Sequence, residues 1–511
     1  MKQPLFVFLC FFSIVVYAQN SLDSTWGTNG IVTHQTAYGS SIADIVLNIS
    51  GQITTIGTAR TNDDHTMEWA IVQYNQDGSL SPNFGLNGEV ILDFSPHDDI
   101  ATDGILQTDG KLLVAGFTFN ADSATYDFAM ARYMKTGVLD YTFGNNGIVI
   151  IPTYKNYYIQ GRNVSIALQA DNKIVLTSVV TSNTQEQLYI GRYQTNGLID
   201  STFGTNGYVN LAISPFILHT SVAIDNSQNI IVGFVNNFTS LGIIRLLSNG
   251  NLDYNFNGNG IVFTPISVSD AFENTELQLQ NDGKIVLFGN AYDTIGTNSL
   301  VICRYTVTGL LDSTFNQDGI INGYPFMGTS LCIQSDNKIL VVGNKYINST
   351  QILALTRYQT DGSLDSTFGN NGLIVTDLQG DEAIEKVVLT SSNEILVGGF
   401  FQSYSLLAKY KNYIEPTSIS QFNNSDTKIW VYPNPISDNF MLYYQSLKRE
   451  KISITLEDIN GTFILLLGTE VMDKQKKNVK ELKLPSNLSK GIYILSVHSE
   501  SYKYTTKIIK E

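Results

Sequence analysis

The chain has 511 residues and a formal charge of −15, with only 15% of its residues charged. That acidic balance excludes the basic stripe of a nucleic-acid footprint. The 27 Tyr and 26 Phe beside 41 Gly exclude a disordered chain and point to many short strands joined by tight turns.

The first element is "MKQPLFVFLCFFSIVVYAQN". Lys2 gives a positive start, Leu5 to Val16 an apolar run, and Val16-Tyr17-Ala18 a small-residue cleavage site, the pattern of a secretory signal over residues 1–18. A membrane anchor would need about 20 apolar residues, so no transmembrane span is expected in the mature chain.

From residue 22 one phrase recurs seven times: "LDSTWGTNG", "LSPNFGLNG", "LDYTFGNNG", "IDSTFGTNG", "LDYNFNGNG", "LDSTFNQDG" and "LDSTFGNNG". Its aromatics, Trp26, Phe84, Phe143, Phe203, Phe256, Phe315 and Phe368, lie 58, 59, 60, 53, 59 and 53 residues apart. Each unit adds a turn with a buried apolar run ("TDGKLLVAG", 108–116) and an "RY" strand ("MARYMKTG", 130–137). Four short strands per unit of this length predict an all-β chain in which residues 19–410 form a seven-bladed β-propeller. The ends separate a ring from a linear solenoid. Leu22 to Val32 is a phrase with no strands before it, while Leu406 to Tyr410 is a strand with no phrase after it. An N-terminal strand that completes the last blade explains both; a solenoid would need caps. On the L-D-x-x-F-G-x-N-G and D-G-K-I-L-V-x-G segments, the chain resembles the delta-60 repeat family of bacterial β-propellers over roughly residues 20–410.

The repeat hides a charge pair. Arg132 and Asp140, Arg192 and Asp200, Arg245 and Asp253, Arg304 and Asp312, and Arg357 and Asp365 are each eight residues apart. In the second phrase both members are lost together, to Gln73 and Ser81. This favours a structural pair across the turn over a ring of arginines for an anionic ligand. Read as exposed pairs, they would contribute only ~0–1 kcal/mol each. Ring closure predicts one more pair, Asp23 with Lys409.

The two turns within each unit are short and repeated, whereas the other connections differ in every blade and define a face able to carry a site. Weak binding candidates there are His65, His97, Tyr154, Tyr157, Tyr158 and Tyr324, for a glycan or other surface ligand. The five histidines show no metal-ligand spacing and no nucleophile motif is present, so no metal, cofactor or catalytic residue is expected. Cys303 and Cys332 sit where other repeats hold Ala, Gly, Thr or Ile, which favours free buried thiols over a disulfide.

Residues 411–429 form a polar, Asn- and Ser-containing linker. Beyond it 12 Lys and Arg stand against 9 Asp and Glu, and alternating strands predict a small Ig-like β-sandwich over 430–511. Tyr432-Pro433-Asn434-Pro435, Gly491-Ile492-Tyr493 and the closing Lys507 resemble the type A C-terminal sorting domain of the Bacteroidota type IX secretion system. The resemblance implies export to the cell surface or medium, with that system's translocon and sortase as partners. The leading expectation is a secreted or surface-held, non-enzymatic interaction scaffold, able to bind glycan or matrix. The alternative is an extracellular polysaccharide-acting hydrolase or lyase.

Overall fold

The computed structural model describes residues 21–510 apart from 37, 62–65, 154–162, 183–184, 214–215, 238, 267–269, 293–297, 325, 348–349, 412–426, 433–438, 447–449, 459–462, 473–477, 486–487 and 500–502. The chain divides into two compact units, 1–413 and 414–511.

Among the described residues the first unit holds seven four-stranded antiparallel sheets. Six are continuous in sequence and span 40–92, 100–151, 165–211, 217–265, 270–324 and 327–376. The seventh combines strands Glu382–Leu389, Ile395–Phe401 and Tyr404–Tyr410 with Ile31–His34 from the N-terminal end. The innermost strand of each blade packs on that of the next, and Glu382–Leu389 packs back on Ser40–Leu47, so the circle is closed.

The second strand of each blade is an apolar run because neighbouring blades cover both of its faces. In Leu112–Asn120, the residues from Leu112 to Thr118 are all buried. The cores therefore lie between blades: Leu113, Phe117, Phe128, Phe143, Ile166 and Leu176 form one cluster shared by the second and third.

Closure differs in one detail from the strand expected over Leu22–Val32. Leu22 makes a single bridge to Tyr410, and the regular strand is confined to Ile31–His34, paired with Ser405–Ala408. The phrase between them is a turn. Gly27, Asn29 and Gly30 take φ of +51°, +54° and +90°, which no extended strand accommodates.

The second unit has a three-stranded sheet and a four-stranded sheet around one core that includes Phe440, Leu442, Ile452, Ile454, Leu482 and Leu495. No helix among the described residues is long and apolar enough to cross a membrane.

Candidate functional site

Each letter of the repeated phrase has a contact. At the joint between the second and third blades, Arg132 donates through Nε to Asp140 at 2.8 Å, and its guanidinium lies 4.6 Å from the centre of the Phe143 ring. Another guanidinium nitrogen donates to the carbonyl of Thr195, in a turn of the next blade. The second Asp140 oxygen accepts from the Thr142 hydroxyl at 2.6 Å, and Lys111 reaches the first at 2.9 Å. Gly144, at φ +52°, donates its N–H to Asn196 of the next blade, and a Cβ there would lie 2.2 Å from the Ile148 oxygen.

The same pair recurs as Arg192–Asp200 at 2.9 Å, Arg245–Asp253 at 2.7 Å, Arg304–Asp312 at 2.8 Å and Arg357–Asp365 at 2.8 Å. The sequence suggested exposed pairs; the structure buries them, with arginine side chains 4–11% exposed and aspartates 0–5%. Burial alone would raise the Asp200 carboxyl, but hydrogen bonds from Thr202 and the charges of Arg192 and Lys173 outweigh it, and the pKa falls to about 2.

At the closing seam Lys409 Nζ lies 3.4 Å from Asp23 and 2.8 Å from Glu394. The bond to the next blade comes from elsewhere: Trp26 Nε1 donates to the carbonyl of Gln76 at 2.9 Å. Gln76 holds the turn position that Thr195 holds two blades on. The first phrase thus has Trp where the others have Phe because the indole N–H takes over the arginine's inter-blade bond.

A second polar set lines the ring's centre. Three residues before the end of each innermost strand stand Asp44, Asp103, Ser165, Ser221, Glu276, Ser330 and Lys386. Five of these side chains accept a backbone N–H from the next blade: Asp44 from Gly104, Asp103 from Ile166, Ser221 from Leu277, Glu276 from Leu331 and Ser330 from Val387, at 2.8–3.3 Å. Lys386 reaches Glu276 at 3.0 Å and Asp44 at 3.3 Å, spanning the first, fifth and seventh blades. The cavity around them measures about 290 Å³. Irregularities in strand pairing leave His219, Thr329 and Glu385 unpaired in register, and all three line that cavity.

The environments push these groups apart. Burial raises Asp103, and neighbouring Asp44 raises it further. Burial raises Glu385 to about 7 and lowers His219 to about 4. Burial also opposes the charges of Glu276 and Lys386, but their mutual attraction and hydrogen bonds win: the carboxyl titrates below its usual range and the ammonium above it. Near neutral pH Glu385 and Asp103 are both raised carboxyls of this set placed to exchange a proton. Sequence reading missed the whole set. The signal that would have found it is one polar residue per blade at a fixed distance before the "DGK" turn, as in "SIADIVL", "IATDGIL" and "EKVVL".

Of the expected ligand residues, the structure describes the side chain of His97. His97 is exposed and meets the Phe119 ring edge at 4.5 Å. His65, Tyr154, Tyr157 and Tyr158 lie outside the described residues, as does the Tyr324 side chain. In the second unit Pro433, Asn434 and Pro435 lie outside them too, with the side chains of Tyr432, Ile492 and Lys507. Tyr432 ends one strand and Gly491 begins another, paired with Lys510, and Tyr493 donates its hydroxyl to the Ser489 carbonyl at 2.9 Å. Cys303 and Cys332 are free thiols. Among the described residues no group of His, Cys, Asp and Glu has metal-holding geometry.

A closed ring of four-stranded antiparallel blades is a β-propeller. Residues 107–143, 169–203, 230–256, 280–315 and 334–368 match the family described as "Domain of unknown function (DUF5122) beta-propeller". Residues 430–511 match the "Secretion system C-terminal sorting domain". The chain therefore carries DUF5122 propeller repeats and a type IX sorting domain, and it is exported to the cell surface or the extracellular space. A comparison with curated proteins found no match.

Similar solved structures include a polysaccharide lyase titled PL25 ulvan lyase (10% identity, TM-score 0.43, 75% of this chain and 96% of that one). Another is the polysaccharide lyase Uly1 (10%, 0.39, 73% and 90%). A third is a protein of unknown function from Dyadobacter fermentans (10%, 0.40, 74% and 99%). The expectation of a non-enzyme is corrected here. Polysaccharide lyases stand among the structures this chain resembles. At these TM-scores the likeness transfers neither an activity nor a substrate.

Proposed function

We propose that the chain is an exported propeller that engages polysaccharide outside the cell. The observation that carries this reading is the contrast between the two faces of the ring. On one face the connections 48–52, 107–111, 169–173, 225–229, 280–284, 334–338 and 390–394 are all of one length. On the other, the connections between blades range from 325–326 to 152–164. A scaffold held constant on one face and varied on the other is suited to presenting a binding surface. The sorting domain delivers that surface to where polysaccharides are the abundant polymers. Within this reading, residues 1–18 are a cleaved signal, 19–410 the propeller, 411–429 a linker and 430–511 the sorting domain removed by the sortase.

The test is retention of the mature propeller on an array of extracellular polysaccharides. Failure to bind any of them removes the reading. Truncation before Trp430 should leave a folded propeller in the periplasm, and normal release of that truncated chain would refute the role given to the tail.

A second reading, turnover of the bound polymer, is favoured by Glu385, raised to about 7 beside the Lys386 cluster. It predicts new reducing ends or an unsaturated-sugar chromophore that Glu385→Gln abolishes.

A further inference from the structure

A groove lies where the second and third blades diverge, a volume of about 710 Å³ between outermost strands Ile148–Ile151 and Tyr208–Leu211. That falls within the ~300–1,000 Å³ typical of small-ligand sites. Resting on the polysaccharide reading above, we propose that this groove is the subsite for uncharged sugar residues, with Tyr208 as the stacking platform.

The third blade departs from the repeat here. Counting four residues back from the strand-end position held by Tyr193, the other blades carry Ala70, Ala129, Gly242, Val301, Ala354 and Leu406; the third carries Tyr189. At the first residue after the phrase they carry aliphatic side chains or Glu89; the third carries Tyr208.

Gly191 makes the arrangement fit. It pairs with Tyr208 across the strands, and a Cβ on it would lie 2.6 Å from the Tyr189 hydroxyl oxygen. The Tyr189 ring therefore lies along its own strand, with its hydroxyl 2.8 Å from that of Tyr193. It stacks on Tyr208 at 5.9 Å and 25°. Tyr189 is buried at 8% exposure, while Tyr208 stays 38% exposed. A rigid backing ring thus supports a ring that faces solvent.

The remaining chemistry selects the ligand. Among the described residues the lining has no charged side chain; it offers the amides of Gln187, Asn206 and Asn210 beside apolar Ile150 and Pro152. A pyranose has an apolar C–H face and a rim of hydroxyls. Aromatic face and amides match those two properties, and among the described residues an anionic sugar would find no cation.

The experiment uses the full mature chain in affinity electrophoresis against xylan, mannan and laminarin, with alginate as the anionic control. Binding to at least one neutral polymer is expected. Tyr208→Ala should weaken it by about tenfold, as for the loss of one aromatic stack, with Tyr208→Phe close to wild type and the melting temperature unchanged. Neutral binding that survives both Tyr208→Ala and Asn210→Ala overturns the groove assignment and leaves the polysaccharide reading standing. Binding to alginate alone does the same. Binding to none of the four overturns both.

Discussion

Six of the joints in this ring join blades that follow one another in sequence, and one joins the chain's two ends. At the Arg304 joint one guanidinium pairs with Asp312 at 2.8 Å, covers Phe315 at 4.5 Å and donates to Thr360 of the next blade at 2.5 Å. At the seam these roles are divided. Lys409 supplies the charge for Asp23, and Trp26 supplies both the apolar ring and the bond to Gln76. The backbone frame is the same: Asp23 N–H donates to Lys409 O at 2.8 Å as Asp312 N–H donates to Arg304 O at 2.9 Å. The comparison teaches that more than one residue set supplies an inter-blade hydrogen bond and a buried charge pair, while the joint at Gln73 and Ser81 does without the pair.

The largest effect should come from breaking an ordinary joint. In Arg304→Ala a buried Asp312 loses its main partner, and removing one member of a buried pair costs ~3–5 kcal/mol. Urea unfolding followed by tryptophan fluorescence would measure it. Lys409→Ala should cost less, because Trp26 keeps the inter-blade bond at the seam, whereas Arg304→Ala also loses the bond to Thr360 and the contact over Phe315. Equal losses in the two variants would erase the distinction between joint and seam.

Acid should act next. Asp200 and Asp312 both titrate near 2, against a usual 3.8; burial opposes this, and the bonds from Thr202 and Thr314 with the neighbouring cations prevail. A carboxyl depressed by folding contributes stability that is complete above its unfolded pKa and lost as pH falls through the folded one. The stability that these pairs contribute should therefore hold above about pH 4 and be lost steeply between about 4 and 2, read as a fall in melting temperature over that range. In Asp200→Asn, already less stable at pH 7, that fall should be shallower.

These joints show why part of the molecule was legible in sequence and part was not. The phrase, the "RY" strand and the spacing of eight residues repeat because every blade needs the same docking turn, so the repeat shows in one chain without an alignment. The third contact of Arg132, Arg192, Arg245 and Arg304 did not show, because its partner is a backbone carbonyl 56 to 63 residues on and any residue supplies one. The central set failed for the opposite reason. Asp44, Ser221, Glu276 and Lys386 share a position and a direction but not a side chain. The binding groove was hidden as well: the candidates were sought in irregular loops, whereas Tyr189 and Tyr208 stand on regular strands.

A smaller effect isolates the indole. Trp26 is 4% exposed and packs with Ile42, Ile45 and Leu407. Trp26→Phe keeps most of that apolar surface and restores the residue found at the other joints, yet removes the donor to Gln76. The loss should be about 1 kcal/mol, the net worth of a hydrogen bond. Trp26→Ala, which also opens a cavity, should cost ~3–5 kcal/mol. A Trp26→Phe variant as stable as wild type would mean that the hydrogen bond is incidental.

The smallest effect is the most discriminating. Lys409→Arg gives the seam the residue of the other joints, and a simple count of donors would predict a gain. Two features oppose it. The inter-blade acceptor, Gln76 O, is already taken by Trp26, and Lys409 Nζ already holds Glu394 at 2.8 Å as well as Asp23. The single change should therefore stay within about 0.5 kcal/mol of wild type, as for a substitution that makes no new buried bond. In the background of Trp26→Phe the acceptor is free. There the same Lys409→Arg should recover most of the ~1 kcal/mol lost with the indole, since it rebuilds the Arg–Asp–Phe set whole. The coupling between the two substitutions, read from a double-mutant cycle in urea, is the measurement. Additive effects would show that Trp26 and the repeat arginines do not fill the same role.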